Sequence, residues 1–275
     1  NFTTGKYENI RQGAEVFPVD FTNLEAIRPA FEGVDGVFHM GAKPSVQFSI
    51  AHPIESTHVN VIGTLNILVA SRDAGVKRVV YSASSSAYGI QPELPQRPEM
   101  EPNPLSLYAL QKHMSEKFAQ QFAQHYGLET VSLRYFNVYG PRMNDMGAYV
   151  PVFILLLRQK KEGTPLTIYG DGEQTRDFTH VSDVVAANIA AMTSLKVGSG
   201  EILNVGAGGR TTINAVVKII GGDVIYFDPR PGDIPHSQAD ITRTKALLDW
   251  EPKVEFMNGF RQLLRDEGIE PTEIV

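Results

Sequence analysis

Short apolar segments alternate along the first half of the chain with longer segments that carry apolar residues at helical spacing. The segment RVVYSAS (78–84) is strongly apolar until its serines begin, and the helical segment LYALQKHMSEKFAQQFAQHYG (107–127) comes after it. Continuous apolar strands separated by helices are typical of a parallel sheet covered on both faces. The alternation therefore predicts an α/β fold built on a doubly wound parallel sheet.

The same alternation predicts further elements before and after these two. Strands are expected at EVFPVD (15–20), GVFHMGA (36–42) and ETVSLRYFNVYG (129–140), and helices at LEAIRPAFEG (24–33) and after Pro53. Beyond about residue 141, turns with proline and glycine separate shorter elements. We expect a sheet domain over residues 1–140 and a smaller α/β domain mainly over 141–275, with some segments returning to the first domain.

Composition excludes several classes of protein. The chain has no cysteine, so disulfides, thiolate nucleophiles and cysteine-ligated metals are impossible, and no metal site is predicted. A net charge of −6 argues against general nucleic-acid binding, which requires clustered lysine and arginine.

The apolar run VPVFILLL (150–157) is too short to span a bilayer and predicts a buried helix. With no signal peptide in view, a cytoplasmic protein without membrane contact is the default expectation.

Polar residues collect where three predicted strands end. These ends are HMGA (39–42), SASSSAYG (82–89) and RYFNVYG (134–140). A doubly wound sheet binds ligands beyond the carboxyl ends of its strands. The sequence therefore predicts a ligand site at this edge of the sheet.

A tyrosine and a lysine lie at the start of the helix that follows the serine-rich strand end. Tyr108 and Lys112 are four residues apart and share one helical face. A tyrosine with its ordinary pKa of about 10 is a poor base at pH 7, but a neighbouring ammonium, helped by an oxidised nicotinamide, favours the phenolate. A solvated Tyr and Lys on an amphipathic helix is the alternative. The serines just before them favour catalysis, since a hydroxyl there can share the substrate's proton.

Together these motifs resemble the extended short-chain dehydrogenase/reductases, and among them the NAD-dependent nucleotide-sugar epimerases and dehydratases. The most similar group is the UDP-hexose 4-epimerases. The resemblance depends on Ser84, Tyr108 and Lys112, on HMGA before them and on RYFNVYGPR (134–142) after them. It implies a Rossmann-like domain that holds NAD and a smaller domain that closes over a sugar nucleotide.

For the catalytic residues, the resemblance implies three roles. Tyr108 is expected to take the proton from the sugar O4. Lys112 is expected to lower the pKa of Tyr108 and to hold the nicotinamide ribose, and Ser84 to hydrogen-bond the same sugar hydroxyl. Ser85 and Ser86 are expected to contact the substrate, and they are close enough for the serine assignment to shift by one.

NAD is the implied cofactor, and several segments match residues that surround it in the family. Asp20 matches an acidic residue near the adenine, and Asn60 matches an asparagine in the helix behind the site. A hydrogen bond from Asn60 to a nearby carbonyl is an equally good interpretation. Phe136 matches a wall of the nicotinamide pocket, although core packing would explain it alone. The cofactor candidates are Asp20, Phe21, Met40, Gly41, Ala42, Asn60, Tyr108, Lys112, Tyr135 and Phe136.

The implied substrate is a UDP-sugar. Asn137 and Arg176 match residues that contact the diphosphate, Arg230 matches one on the phosphate and Asp233 one on the uridine ribose. A forked guanidinium suits phosphate oxygens, although a lone loop arginine is usually only solvated. Ser237 matches a position where a bulky residue narrows the space around the sugar C2 substituent. A serine there leaves room for an N-acetyl group.

Residues at the strand end favour one reaction of the family. Nucleotide-sugar 4,6-dehydratases carry an Asp-Glu pair where this chain has Ser85 and Ser86, decarboxylating relatives usually have a Glu in that stretch, and 3,5-epimerases use a cysteine. The resemblance therefore implies 4-epimerisation by transient oxidation at C4, of UDP-GlcNAc/UDP-GalNAc and/or UDP-Glc/UDP-Gal. The alternatives are a UDP-sugar decarboxylase or dehydratase, a uronate 4-epimerase, and a catalytically silent nucleotide-binding relative.

A homodimer is also implied by the resemblance, through helices near residues 54–72 and 105–126. The second of these segments has an apolar stripe of Met114, Phe118 and Phe122 at helical spacing. That stripe fits packing against the chain's own sheet at least as well as packing against a partner.

One motif of the family, the glycine-rich turn that cradles the cofactor pyrophosphate, has no match here. GAGG (206–209) and GDG (170–172) lack its spacing. NFTTGK (1–6) resembles the segment that directly follows the second strand of the dinucleotide fold. We therefore expect about 30 further residues, including that turn, to precede Asn1 in the complete protein.

Overall fold

The computed structural model describes residues 2–3, 5–143, 151–230 and 233–272. In this part of the chain, the strands are β1 (Gly36–His39), β2 (Arg78–Ser84), β3 (Glu129–Tyr135), β4 (Val138–Tyr139), β5 (Leu166–Tyr169), β6 (Thr175–Arg176), β7 (Thr179–His180), β8 (Ser199–Val205), β9 (Thr211–Thr212) and β10 (Val224–Phe227). The α-helices are α1 (Leu24–Ile27), α2 (Val46–Ala51), α3 (Pro53–Thr57), α4 (Gly63–Asp73), α5 (Leu107–Tyr126), α6 (Val152–Glu162), α7 (Val181–Thr193), α8 (Ile213–Ile220), α9 (Thr242–Leu248) and α10 (Phe256–Asp266). None of these helices is long and apolar enough to cross a bilayer.

The main sheet has the strand order β1-β2-β3-β8, and all its neighbours are parallel. Val80 at its centre lies beside Phe38 of β1 and Val131 of β3. Because neighbouring strands run the same way, each connection must cross a face of the sheet. The predicted α/β fold with a parallel sheet is confirmed.

Helices cover both faces of this sheet. On one face, Leu68 of α4 and Phe122 of α5 share a buried cluster with Val79 of β2. On the other face, Ala187 of α7 packs in a second cluster with Leu133 of β3. Burial of this apolar surface is the main force that holds the helices on the sheet.

A further apolar core is built by Tyr139 of β4 and by elements that come after residue 151. It joins Phe153 of α6, Ile168 of β5, Val216 of α8 and Phe260 of α10. Strand β8 also comes after residue 151, yet it pairs with β3 in the main sheet. The chain therefore returns to that sheet after it has begun the other core.

The strand predicted at residues 15–20 is wrong. This segment has no regular secondary structure and is almost wholly exposed. Pro18 lacks a backbone N–H, and in the described part of the chain no strand lies beside the segment to complete a ladder. A strand needs a neighbour that exchanges hydrogen bonds with it, and composition alone does not supply one.

The helix predicted at 24–33 is α-helical only to Ile27 and continues as a 3₁₀ helix to Phe31. Two other predicted elements are interrupted near the predicted site. The helix after Pro53 contains a π-helical turn at His58–Ile62 between α3 and α4. The strand predicted at 129–140 stops at Tyr135, and β4 pairs with β7 outside the main sheet. Asn137 lies in the break and is exposed. Such π turns often occur at functional sites.

Candidate active site

A cavity of about 460 Å³ opens where β2 and β3 end. Its walls combine the end of β2, the start of α5, the segment after β3, and the loops around β6 and residues 233–237. The sequence-predicted site residues in its lining are Ser84, Ser85, Ser86, Tyr108, Tyr135, Asn137, Arg176, Asp233 and Ser237. The structure thus brings together residues that are up to 153 positions apart, from Ser84 to Ser237.

The start of α5 fixes Tyr108 at the cavity. Ser106 is the N-cap, and its side chain accepts a hydrogen bond from Ala109 N at 3.1 Å. The N–H of Tyr108 donates to Ser49 Oγ at 3.1 Å. Two of the N–H groups that the first helical turn leaves unpaired therefore have partners. These bonds hold the first turn, and with it Tyr108, against α2.

Tyr108 has a raised pKa in the structure. Burial is the main cause because it disfavours the phenolate, while a hydrogen bond with Ser84 opposes the shift. Its phenol is therefore neutral at pH 7. The lowered pKa that the sequence predicts for this residue is not found in the protein alone, and a positive group beside the phenol would be needed to produce it.

The hydroxyls at the end of β2 form a small network. Ser84 Oγ lies 2.8 Å from Ser86 Oγ and accepts a hydrogen bond from Ser86 N at 3.2 Å. A 3₁₀ turn at Ser85–Tyr88 begins here, with Ser84 as its N-cap. Of the serines at this strand end, Ser84 is the one whose hydroxyl acts on the pKa of Tyr108.

Lys112 lies one helical turn beyond Tyr108 and is only 4% exposed. Its Nζ is 4.6 Å from the centre of the Tyr81 ring and makes no hydrogen bond with the described residues. Burial lowers its pKa to about 7, and the Glu116 carboxylate opposes this effect.

His39 lies near Lys112 and is also affected by burial. Burial lowers the pKa of His39 to about 3, with a smaller contribution from Lys112. His39 is therefore neutral at pH 7.

A buried ammonium without hydrogen bonds is costly unless a ligand supplies acceptors. Hydroxyl groups of a nicotinamide ribose would provide them, so Lys112 and Tyr108 fit that end of NAD. No glycine-rich turn leads from a strand of the main sheet into a helix with the dinucleotide spacing, within residues 2–3, 5–143, 151–230 and 233–272. The described residues thus fit the nicotinamide end and leave the pyrophosphate cradle unassigned.

The far wall of the cavity carries the side chains predicted to bind a diphosphate. Arg176 donates from Nη1 to the carbonyl oxygens of Thr175 at 3.0 Å and Pro235 at 3.3 Å. Burial lowers its pKa and Asp233 opposes the shift, so the guanidinium stays charged at pH 7. Asn137 Nδ2 donates to the Asp177 carbonyl at 3.3 Å and lies 3.5 Å from Ser237 Oγ. These contacts hold an arginine and an amide on one wall.

Arg230 does not line the cavity. It is exposed, and its guanidinium lies 3.6 Å from the centre of the Tyr169 ring. This stacking contact is separate from the residues that surround Arg176. Arg230 therefore lies outside the cavity that Arg176 lines, and its phosphate contact stays a prediction.

The remaining cofactor candidates lie outside the cavity lining. Asp20 is exposed, and its carboxylate accepts two bonds from Thr22. The ring of Phe21 lies against Gly41 and Gly63, where an added Cβ would come within 2.7 Å and 2.3 Å of it. Glycine is therefore required at both positions for this packing. Ala42 continues the same segment and is half-buried.

The sulfur of Met40 contacts Ser82 and Tyr135, and Tyr135 lines the cavity. Its Sδ accepts from Ser82 Oγ at 2.6 Å and lies 3.6 Å from the hydroxyl of Tyr135. Tyr135 also donates to Asn188 Oδ1 at 2.9 Å, and burial raises its pKa. Tyr135 is therefore fixed as a neutral wall of the cavity.

For two cofactor candidates, Phe136 and Asn60, the structure agrees with the alternative interpretation. Phe136 is fully buried against Tyr88 and Ala239, so it belongs to the core and does not form a pocket wall. Asn60 is 1% exposed, and its carboxamide bonds to both the N–H and the carbonyl of Lys43. It therefore holds the segment after β1 in place, as the alternative interpretation predicts.

Sequence reasoning missed Tyr81 and Asp177. Tyr81 lies under the Lys112 ammonium, and its only signal was an aromatic residue in an apolar strand. Asp177 is fully buried beside Arg176 and accepts hydrogen bonds from three remote backbone N–H groups. Nothing in the local sequence identifies those partners.

The fold and the cavity define an α/β protein with a ligand site at the carboxyl edge of a parallel sheet. The profile of the NAD dependent epimerase/dehydratase family matches residues 1–206. The chain belongs to this family.

Curated relatives include both epimerases and decarboxylases. A putative UDP-glucose 4-epimerase of Methanocaldococcus jannaschii is 34% identical over 272 residues, which cover 96% of this chain and 87% of the relative. UDP-glucuronic acid decarboxylase 1 of Arabidopsis thaliana is 32% identical over 275 residues, which cover 97% of this chain and 62% of that protein.

Solved structures match the fold closely. The UDP-glucose 4-epimerase of Thermotoga maritima, solved with UDP-glucose, superposes with a TM-score of 0.90 at 34% identity and covers 96% of this chain and 87% of its own. The UDP-N-acetylglucosamine 4-epimerase of Methanobrevibacter ruminantium, in complex with UDP-N-acetylmuramic acid, gives 0.90 at 33% identity with the same coverage.

Proposed function

We propose that this protein catalyses NAD-dependent 4-epimerisation of UDP-hexoses, with UDP-N-acetylglucosamine and UDP-N-acetylgalactosamine, and also UDP-glucose and UDP-galactose, as substrates. One observation carries the proposal: Ser84 and Tyr108 line the same cavity as Asn137 and Arg176. A proton-transfer pair and a diphosphate-binding pair therefore face one volume. A UDP-sugar has its reacting hydroxyl and its diphosphate at two ends of one molecule and would use both.

The chain's own residues handle the proton at the sugar O4. As the phenolate, Tyr108 accepts this proton, and Ser84, which lines the cavity beside it, is placed to hydrogen-bond the same sugar hydroxyl. Lys112 is one turn away on the same face of α5 and stabilises the phenolate once a ligand fixes its ammonium. NAD, when bound, supplies the hydride acceptor and donor at C4.

Binding at the other end of the substrate falls to Arg176 and Asn137. The guanidinium of Arg176 offers forked donors to phosphate oxygens, and the amide of Asn137 adds another donor. Asp233 lines the same cavity and is placed to accept from a ribose hydroxyl. These groups would bind the diphosphate and the ribose and leave the sugar facing Tyr108.

Two features support epimerisation over the alternatives. The strand end at the cavity carries Ser84, Ser85 and Ser86, so the carboxylic acid and carboxylate that remove water in a dehydratase have no counterpart there. Among the described lining residues, Arg176 is the one with a permanent positive charge. That cation is required for the diphosphate, so a neutral sugar suits this cavity better than a uronate.

The test is to incubate purified protein and NAD in separate reactions with UDP-GlcNAc, UDP-glucose and UDP-glucuronate, and to follow the sugar products by NMR. We expect UDP-GalNAc and UDP-galactose to appear until each pair reaches equilibrium. Release of CO₂ from UDP-glucuronate would identify a decarboxylase, and a 4-keto-6-deoxy product would identify a dehydratase. Bound NAD with no sugar product would identify a silent nucleotide-binding relative. Each of these outcomes contradicts the proposal.

We further propose that the chain forms a homodimer through the helical segments near residues 54–72 and 105–126, which contain α3, α4 and α5. Ile54 on α3 is 86% exposed, and Leu110 and Met114 on α5 are 41% and 40% exposed. In the predicted stripe, Phe118 and Phe122 pack with the chain's own core. Only Met114 of the stripe is exposed and available to a partner. Exposed apolar side chains on neighbouring helices are typical of a subunit interface.

Light scattering after size-exclusion chromatography tests the dimer. The wild type is expected at twice the mass of the chain, and Ile54→Glu is expected to shift the population towards the monomer. Leu195→Glu is the matched control, because Leu195 is 98% exposed and lies outside α3 and α5. A monomeric wild type, or equal dissociation by both variants, would contradict the interface.

A further inference from the structure

Asp177 is a buried carboxylate whose hydrogen-bond donors are backbone N–H groups. Its side chain is fully buried, and Oδ1 accepts from Ala207 N at 2.8 Å. Oδ2 accepts from Gly208 N and Ala239 N, both at 2.9 Å. Three backbone N–H groups therefore replace the water that an aspartate normally binds.

These three bonds join segments that are remote in the sequence. Ala207 and Gly208 follow β8 of the main sheet, and Ala239 ends the loop that carries Ser237. Asp177 itself directly follows β6, which ends at Arg176. One carboxylate thus connects the main sheet, the strand of Arg176 and the Ser237 loop.

The junction of these three segments at the Asp177 carboxylate is tightly packed at Gly206. A Cβ added there would lie 2.8 Å from Asp177 Oδ2 and 2.4 Å from Ala239 Cβ. Only a residue without a side chain lets the three segments approach so closely. The sequence therefore provides space for this carboxylate as well as donors for it.

The diphosphate-facing side chains depend on the same segments. Arg176 donates to the Pro235 carbonyl, and Asn137 donates to the backbone carbonyl of Asp177 itself. Ser237 N donates to the Thr175 carbonyl at 3.1 Å. Each of these contacts lies within a few residues of a segment that the Asp177 carboxylate anchors.

We propose that Asp177 is the positioning residue of the diphosphate-binding wall. It fixes the Ser237 loop and the chain after β8 against β6, so that Arg176, Asn137 and Ser237 face the cavity before a ligand arrives. A loss of this junction would therefore weaken binding of the nucleotide diphosphate more than it would slow the chemistry at Tyr108. The proposal rests on the proposed UDP-sugar function.

Asp177→Asn tests the role, because it keeps the shape but replaces one acceptor oxygen with a donor that faces N–H groups. We expect the Kd of UDP, measured by calorimetry at pH 7.5, to rise about tenfold or more, the scale of a lost hydrogen bond to a charged group. The KM for the UDP-sugar should rise in parallel, with kcat changed by less than about threefold.

Asp183→Asn is the matched control. Asp183 is also buried, at 4% exposure, and its carboxylate accepts from Lys253 N and Val254 N, both at 3.0 Å, away from the cavity. Its loss should lower the unfolding temperature without changing the Kd of UDP by more than about twofold. Equal UDP binding by wild type and Asp177→Asn would overturn the proposal, as would equal weakening by both variants.

A measurement on the wild type covers the case in which Asp177→Asn does not fold. Hydrogen exchange with and without UDP should show increased protection of the amides at Ala207, Gly208 and Ala239. Unchanged protection on UDP binding would overturn the proposal. If the wild type bound no UDP and converted no UDP-sugar, the proposed function itself would fail, which is a separate result.

Discussion

Lys112 lies with its ammonium 4.6 Å from the centre of the Tyr81 ring, buried one helical turn beyond Tyr108. The ring face attracts the cation, but it does not replace the water lost on burial. The lowered pKa, about 7, follows from this balance. Without ligand, Lys112 therefore destabilises the fold in its charged form.

Replacement of Lys112 by an uncharged residue should stabilise the protein in the absence of ligand. The pKa of Lys112 in the folded state is below its ordinary value of 10.5. Between pH 7 and 10 the lysine is therefore protonated in the unfolded chain but mostly neutral in the folded protein. Because the unfolded chain binds more protons in this range, the free energy of unfolding rises with pH. At pH 6.5, where both states are protonated, the cost of the buried charge is fully present. Lys112→Met should raise the free energy of unfolding at pH 6.5, by up to about 5 kcal/mol, and flatten the rise above pH 7.

Urea unfolding at several pH values measures this effect. Lys117→Met is the control, because Lys117 lies on the same helix and is exposed. It should keep the wild-type dependence on pH. A Lys112→Met protein with the wild-type slope would show that the buried amine does not titrate near pH 7.

Tyr108→Phe should remove turnover and retain binding. The ring stays in the cavity, but the hydroxyl that exchanges the sugar proton is lost. We expect kcat to fall by about 10²–10⁴-fold, the usual scale of general acid–base catalysis, with the Kd of UDP almost unchanged. Tyr126→Phe, on the exposed end of the same helix, should behave as wild type. A Tyr108→Phe enzyme with wild-type turnover would exclude the phenol from the reaction.

Arg176→Lys should weaken binding of the diphosphate although it keeps the charge. Lysine cannot offer two parallel donors, so the bidentate contact with phosphate oxygens is lost. The Kd of UDP should rise about tenfold, the scale of one charged hydrogen bond. Arg243→Lys is the control, since Arg243 pairs with Glu99 on the surface. Equal Kd values for the two variants would remove Arg176 from the phosphate site.

Ser237→Tyr should change the choice of sugar. Ser237 is 1% exposed, and its hydroxyl lies 3.5 Å from the Asn137 amide at the cavity wall. A tyrosine there would occupy the volume proposed for the N-acetyl group. The ratio of kcat/KM for UDP-GlcNAc to that for UDP-glucose should fall about tenfold or more. An equal fall for both sugars would show that this residue does not select the C2 substituent.

Elements with a complete local signal were predicted well. The strand at 78–84 and the helix from Leu107 match β2 and α5 because apolar continuity, an N-cap serine and a terminal glycine all lie in the local sequence. The strand at 15–20 failed because strands depend on a partner. The helix after Pro53 was predicted as continuous, although Asn60 and its neighbours form a π turn.

The sequence alone determined the fold class, the family resemblance, and the placement of Tyr108 and Lys112 on one helical face, since these follow from periodicity and local motifs. Tertiary structure decided which distant residues meet. It brought Arg176 and Ser237 to the same cavity as Tyr108, left Arg230 on Tyr169, and buried Phe136 in the core. The physical reason is that these contacts depend on how non-local segments pack. A carboxylate such as that of Asp177 acquires its role only from the remote N–H groups that surround it.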